Sequence, residues 1–301
     1  MHPQNATGFS PEPQGLEATF SGVAVSHMRP TPKRRSSAVK YSEKAAIIFL
    51  ALLIAAAWGF TYETFESVVD ETFVLSPGGT VSLENINGDA TIEVWDRDEV
   101  RVHAVKTASS QDLLEALKVE IAAQPASVRI DTEYPSSKRS RDEASDQDSR
   151  ERRHMKVEYT LTVPRSAVID DVELVNGNLL VAGVQGGIDA STVNGNIVVR
   201  DGAGEASLST VNGGIEIYVD QLGGSDEVEL ETVNGSIDLF LASSVSADLR
   251  AETVNGALAN ELGIEVIKGK YVGSSFKGSV GGGGSLVELE TVNGSIEVHS
   301  W

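Results

Sequence analysis

Residues 287–298 read VELETVNGSIEV, and the fold turns on how this stretch is understood. Val287, Leu289, Ile296 and Val298 alternate with Glu288, Glu290 and Glu297. Two half-buried strands, apolar on one face and acidic on the other, account for that alternation. Asn-Gly between them is a strong turn signal, because both residues tolerate positive φ. The intervening Val292 is expected to turn inward at the corner.

The same words recur. TVNG begins at 192, 210, 232, 253 and 291, with NING at 85 and LVNG at 174. The motif pairs are Asn87-Gly88, Asn176-Gly177, Asn194-Gly195, Asn212-Gly213, Asn234-Gly235, Asn255-Gly256 and Asn293-Gly294. From Asn176 the asparagines step by 18, 18, 22, 21 and 38 residues, and FKGSV at 276–280 reads as a degenerate copy inside the long step. A period near twenty marks a solenoid, in which each coil buries its apolar face only against its neighbours. Stacked coils place asparagine over asparagine, so the amides can hydrogen-bond as a ladder. The expected fold is therefore mainly all-β: a parallel β-solenoid, or β-helix-like stack, with coils of about 18–22 residues. Seven or eight coils would extend on the order of 35 Å. Repeated geometry explains each residue of the motif without catalysis.

Upstream of the coils the chain changes character twice. Residues 1–44 hold five of the nine prolines and no apolar periodicity, and read as a disordered basic cytoplasmic leader. Residues 45–60, AAIIFLALLIAAAWGF, carry no charge and follow Arg29, Lys33, Arg34, Arg35, Lys40 and Lys44. Basic residues ahead of an apolar run direct export, with the basic side left in the cytoplasm. Taken to Tyr62 the run is long enough to span a bilayer as a signal anchor; Ala55-Ala56-Ala57 offers a signal-peptidase site instead. The expectation is a membrane-anchored protein whose C-terminal part is periplasmic or extracellular, with a cleaved, secreted form as the alternative.

Residues 66–165 read as a mixed β cap ahead of the coils at 166–301. TFVL, TVSLENING, ATIEVWD and EVRVHAV alternate, Ser110 can cap a short helix presenting Leu113, Leu114 and Leu117, and KVEIAA and SVRIDTEY turn at Gln124-Pro125. Residues 136–154 mix six basic with five acidic side chains and read as a solvated charged loop.

Composition narrows the function. With no cysteine there are no disulfides, thiolate metal sites or cysteine nucleophiles. Beyond residue 44 the chain holds 18 Lys+Arg (24 less the leader's 6) against 41 Asp+Glu (44 less 3), a net of −23. Such a body repels nucleic acid.

The run GDATIEVWDRDEVRVHAVK, the segment YTLTVPRSA and the recurrent TVNGxI coils together resemble the bacterial putative-adhesin family of β-strand repeats, a domain of unknown function in envelope proteins. The resemblance covers about residues 71–301. It implies an exported, solenoid-like domain and brings no catalytic motif with it. The charged insert at 136–154 and the glycine run at 281–284 depart from the family pattern.

Three outward columns emerge from aligning the coils. Glu84, Glu173, Glu231, Glu252 and Glu290 share one position with Ser191 and Ser209; Glu93, Glu216, Asp238 and Glu297 share another. Such rows are a solvated acidic face or, less simply, a place for calcium. In the second column Leu180 and Val198 replace the acids, which predicts that the N-terminal region packs over them. The third column runs Trp95, Ala182, Arg200, Tyr218, Phe240, Glu261 and His299, making Arg200, Tyr218 and Phe240 the candidate ligand or partner face. The five histidines are scattered, and zinc, phosphate-loop and nucleophile-elbow motifs are missing. No catalytic residue, cofactor-binding residue or resident metal is assigned. The last coil ends just before Trp301, so its edge is expected to stay open for self-association or for another envelope protein. The favoured function is non-catalytic binding, adhesion or scaffolding toward an envelope protein, glycan or wall polymer. An envelope-stress sensor and a carbohydrate-active β-helix enzyme are the alternatives.

Overall fold

The computed structural model describes residues 64–135 and 154–301. The leader, the apolar run 45–62 and the charged segment up to residue 153 lie outside the described residues. Among the described residues, no helix is long and apolar enough to cross a membrane.

The alternation seen in the sequence folds almost entirely into strands. β1 (Phe65–Val74), β2 (Thr80–Asn87), β3 (Ala90–Trp95) and β4 (Glu99–Ala108) come first. A short helix, α1 (Gln111–Ala116), follows, with the Ser110 hydroxyl accepting from Leu113 N at 3.3 Å. β5 (Lys118–Gln124) and β6 (Ser127–Glu133) form an antiparallel hairpin, and β7 (Lys156–Pro164) ends the N-terminal part. The repeats then supply β8 (Val168–Asn176), β9 (Leu179–Ala182), β10 (Ile188–Asn194), β11 (Ile197–Ala203), β12 (Ala206–Asn212), β13 (Ile215–Gln221), β14 (Glu227–Asn234) and β15 (Ile237–Leu241). β16 (Ala247–Asn255), β17 (Leu258–Asn260), β18 (Ile267–Lys268), β19 (Ser274–Val280), β20 (Ser285–Asn293) and β21 (Ile296–Ser300) complete the chain.

Two sheets result. One has ten strands in the order β1-β4-β7-β3-β9-β11-β13-β15-β21-β17; the other has eleven, in the order β18-β19-β16-β20-β14-β12-β10-β8-β2-β6-β5. Each coil gives one strand to each sheet, and neighbouring coils pair in parallel. The inward side chains of both sheets form one apolar core running from Leu75 to Val298. Burial of each Val, Leu or Ile there contributes about 1.5–3 kcal/mol before the entropy of ordering is charged against it.

At the motif corner the four residues have four jobs. Threonine, not valine, turns inward: Thr192, Thr210, Thr232, Thr253 and Thr291 are buried. Each hydroxyl donates to a glycine carbonyl of the adjoining coil, Thr192 to Gly177 at 3.1 Å and Thr232 to Gly213 at 3.0 Å. Val292 and its counterparts Val193, Val211, Val233 and Val254 are instead about two-fifths exposed. The inward expectation for Val292 fails because the strand alternation continues unbroken through the motif. Asparagine forms the ladder, with Asn176, Asn194, Asn212 and Asn234 each donating to the preceding asparagine at 2.9–3.0 Å. Glycine is required by proximity: a Cβ on Gly195, Gly213, Gly235, Gly256 or Gly294 would stand 1.7–1.9 Å from a glycine carbonyl oxygen of the next coil. Of the motif glycines only Gly88 has a positive φ, so the corner is a sheet-to-sheet bend and not a hairpin turn.

Sequence order and stacking order part company at both ends. The coil β6/β7 lies outside the earlier coil β2/β3. At the other end β20 sits between β14 and β16, and β21 between β15 and β17. Asn293 accordingly donates to Asn234 at 3.0 Å, and Asn255 to Asn293 at 3.1 Å. The expected open C-terminal edge, and self-association through it, are therefore corrected: the last coil in sequence is an inner one. FKGSV is not a further coil either. It lies within β19, which pairs antiparallel on the outer side of β16 and buries Phe276. The physical logic is protection. An antiparallel strand covers the edge of β16, and Gly281, Gly282, Gly283 and Gly284, all at positive φ, carry the chain back to the slot inside.

Leu180 and Val198 need a correction too. Both are half-buried, but the N-terminal strands extend the sheets edge-on through β3 and β2 and are not layered over these side chains.

Candidate binding faces

Parallel register turns the outward columns into rows of neighbouring side chains. On the ten-stranded sheet Val198 stands beside Glu216, Glu216 beside Asp238, and Asp238 beside Glu297. Thr91, not Glu93, aligns with Leu180, and Trp95 pairs with Pro164. Both Glu93 and Trp95 therefore leave those columns; the strand after Asn87 is in step with the other coils, since Thr91 follows Asn87 by four residues as Leu180 follows Asn176, and Glu93 and Trp95 lie two residues too far along it.

The third column is a ring ladder. Tyr218 stacks on Phe240 with centroids 4.4 Å apart and planes 5° from parallel, and Phe240 stacks on His299 at 4.6 Å and 17°. Phe240 thus has a ring on each side, and the ladder presents ring edges outward. Arg200, next in the column, reaches back to Glu216, with 3.8 Å between guanidinium nitrogen and carboxylate. At the far end Glu261 lies 3.6 Å from His299 Nδ1. Burial pushes the Tyr218 hydroxyl pKa up, and its hydrogen bond to the Glu216 carboxylate pushes it further. Burial likewise raises the Asp238 carboxyl, and neighbouring Glu297 and Glu216 add to the rise while Ser236, donating at 3.3 Å, opposes it.

The eleven-stranded sheet carries the other face. Glu84, Glu173, Ser191, Ser209, Glu231, Glu290 and Glu252 follow one another in register. Partial burial raises the Glu290 carboxyl, and Glu231, Glu288 and Glu252 reinforce the shift by repulsion. Beside this row runs the exposed valine row of the motif. Between them lies a trough of about 620 Å³ that runs from Ser191 and Val193 to Val254 and Val292. Spacing alone could not show it, because the valines were assigned to the corner interior.

No protein-family profile matches this chain, and no curated protein matches it in sequence. Solved structures do resemble it. A putative cell adhesion protein from Clostridium sporogenes is 13% identical, with 78% of this chain and 100% of that chain covered and a TM-score of 0.42. A putative adhesin from Bacteroides fragilis is 12% identical over 78% of this chain and 97% of that one, TM-score 0.28. A putative lipid binding protein from Parabacteroides distasonis is 14% identical over 79% and 97%, TM-score 0.28. What this chain binds is read from its own side chains.

Proposed function

We propose that this protein is a non-catalytic binding module of the cell envelope, tethered through residues 45–62, that takes a neutral glycan or wall polymer along the trough of its eleven-stranded sheet. The observation that carries this reading is the side-by-side pairing of an unbroken aliphatic row with a row of hydroxyls and carboxylates. Val193, Val211, Val233 and Val292 offer a flat apolar strip, and Ser191, Ser209, Glu231 and Glu290 beside it offer hydrogen-bond partners to sugar hydroxyls. A repeating ligand suits a repeating surface, since each coil offers the same contact about 4.8 Å further on. The acidic row disfavours anionic polymers. Arg200, Tyr218 and Phe240 form the competing face, but stacking takes up both ring faces of Phe240 and one of Tyr218.

The test is binding of the full chain, in detergent, to an uncharged cell-wall polysaccharide and to an anionic one. Val211→Ser with Val233→Ser is expected to weaken binding of the neutral polymer at least about tenfold, a change of about 1.4 kcal/mol. Tyr218→Ala with Phe240→Ala should leave it unchanged. Loss with the ring variant and retention with the valine variant would move the site to the other sheet, and no binding to either polymer would end the glycan reading.

A further inference from the structure

Two carboxylates and an imidazole converge on the outward face of the ten-stranded sheet, away from the trough. We propose that Asp238, Glu297 and His299 form a binding site for a first-row divalent transition metal of the zinc class. Asp238 stands directly across from Glu297 in parallel register, and His299 lies two residues on, on the same face. One donor atom from each lies within 4.8 Å of the other two. His299 Nε2 is 3.8 Å from the Glu297 carboxylate. Zinc bonds of about 2.0–2.2 Å require only small side-chain rotations to draw these atoms together.

A separate observation points the same way. The His299 ring is fixed in plane by its stack on Phe240, and its Nδ1 faces the Glu261 carboxylate at 3.6 Å. That leaves Nε2 directed at the two-carboxylate pair. A carboxylate on one imidazole nitrogen and a metal on the other is the arrangement that sets tautomer and orientation in metal-binding histidines. Asp238 and Glu297 are like charges on adjacent strands, and a cation held between them would relieve their repulsion.

The donor set selects the ion. Calcium and magnesium favour six or more oxygens, whereas one imidazole and two carboxylates suit zinc and its first-row neighbours. Three protein donors on an exposed face leave a fourth position for water or for a donor from a partner. This goes beyond the proposed glycan binding and does not depend on it, because the two faces share no residue.

The experiment uses full-length protein without an affinity tag, stripped with chelator, then titrated with Zn²⁺ by calorimetry and with Co²⁺ by visible absorption. One equivalent of metal and a Co²⁺ spectrum are expected. Glu297→Gln and His299→Ala should each weaken binding at least about tenfold, and Glu261→Gln, a positioning change, by about tenfold with an altered Co²⁺ spectrum. Glu120→Gln, at an exposed position of β5 in the opposite sheet, should leave metal binding unchanged. Because His299→Ala also removes a ring from the ladder, Glu297→Gln carries the decision if that variant misfolds. Binding of less than one equivalent, or one-equivalent binding that survives Glu297→Gln, would overturn the proposal.

Discussion

Each coil bends twice, and the two bends obey different rules. At the motif corner two residues always separate the strands, as in Gly195-Asn196 between β10 and β11 and Gly235-Ser236 between β14 and β15. At the opposite corner the link is two residues between β11 and β12 but five between β13 and β14 and between β15 and β16. The difference is one of contact distance. Motif-corner backbones touch, since from Gly177 onward each motif glycine sits against a glycine carbonyl; at the other corner Gly186 meets the Ala167 carbonyl at 2.2 Å, but a Cβ on Gly224, in a five-residue link, would meet nothing within 4 Å. Repetition in this sequence therefore marks the places where neighbouring main chains leave no room for variation.

Paired glycine substitutions give the largest test of that contrast. A Cβ on Gly213 would lie 1.9 Å from the Gly195 carbonyl oxygen, and a main-chain atom held by two sheets cannot move aside cheaply. Gly213→Ala is expected to cost about 3 kcal/mol. Gly224→Ala should stay within about 0.5 kcal/mol. Urea unfolding of both variants checks the difference; equal midpoints would mean that the two corners are equally tolerant.

Next in size is the inward hydroxyl. Thr232→Val keeps the shape of the side chain but removes the 3.0 Å bond to the Gly213 carbonyl. An unsatisfied buried acceptor costs about 1–3 kcal/mol, so about 1.5 kcal/mol is expected from the same measurement. Ser246, at the opposite corner, also donates to a glycine carbonyl, that of Gly281 at 2.7 Å, but at an exposed site where water can replace it. Ser246→Ala should lose well under half as much as Thr232→Val.

How much of this could be read from the sequence follows the same division. The coil class, the asparagine column and the outward glutamate row were legible, because a fixed two-residue corner keeps register from one motif to the next. Even there the direction of the valine was not, since the alternation had to be carried through the motif and a turn-like Asn-Gly suggests otherwise. The order of stacking was illegible. Nothing in VELETVNGSIEV distinguishes an inner coil from an end coil; the distinction lies in Phe276, whose FKGSV reads as a degenerate copy, and in the four positive-φ glycines, which read only as a departure from the family pattern. The Asp238, Glu297 and His299 cluster was missed for a related reason. The column alignment put Asp238 and Glu297 in one row but with the Asn255 coil between them, and only the order of stacking makes them neighbours.

The smallest expected effect is the most useful for separating fold from function. Val233 is 40% exposed and occupies the row that the motif writes as valine or isoleucine in all seven copies. If the row served the core, Val233→Ser would create a cavity and cost well over 1 kcal/mol. An outward side chain at a regular strand position should lose no more than about 0.5 kcal/mol, most of it β-propensity. A near-neutral result from thermal unfolding would leave the invariance of the row without a folding explanation, so that any loss of polymer binding in the same variant belongs to the trough. A large destabilisation would place the valines back in the scaffold and take from the trough its main apolar contact.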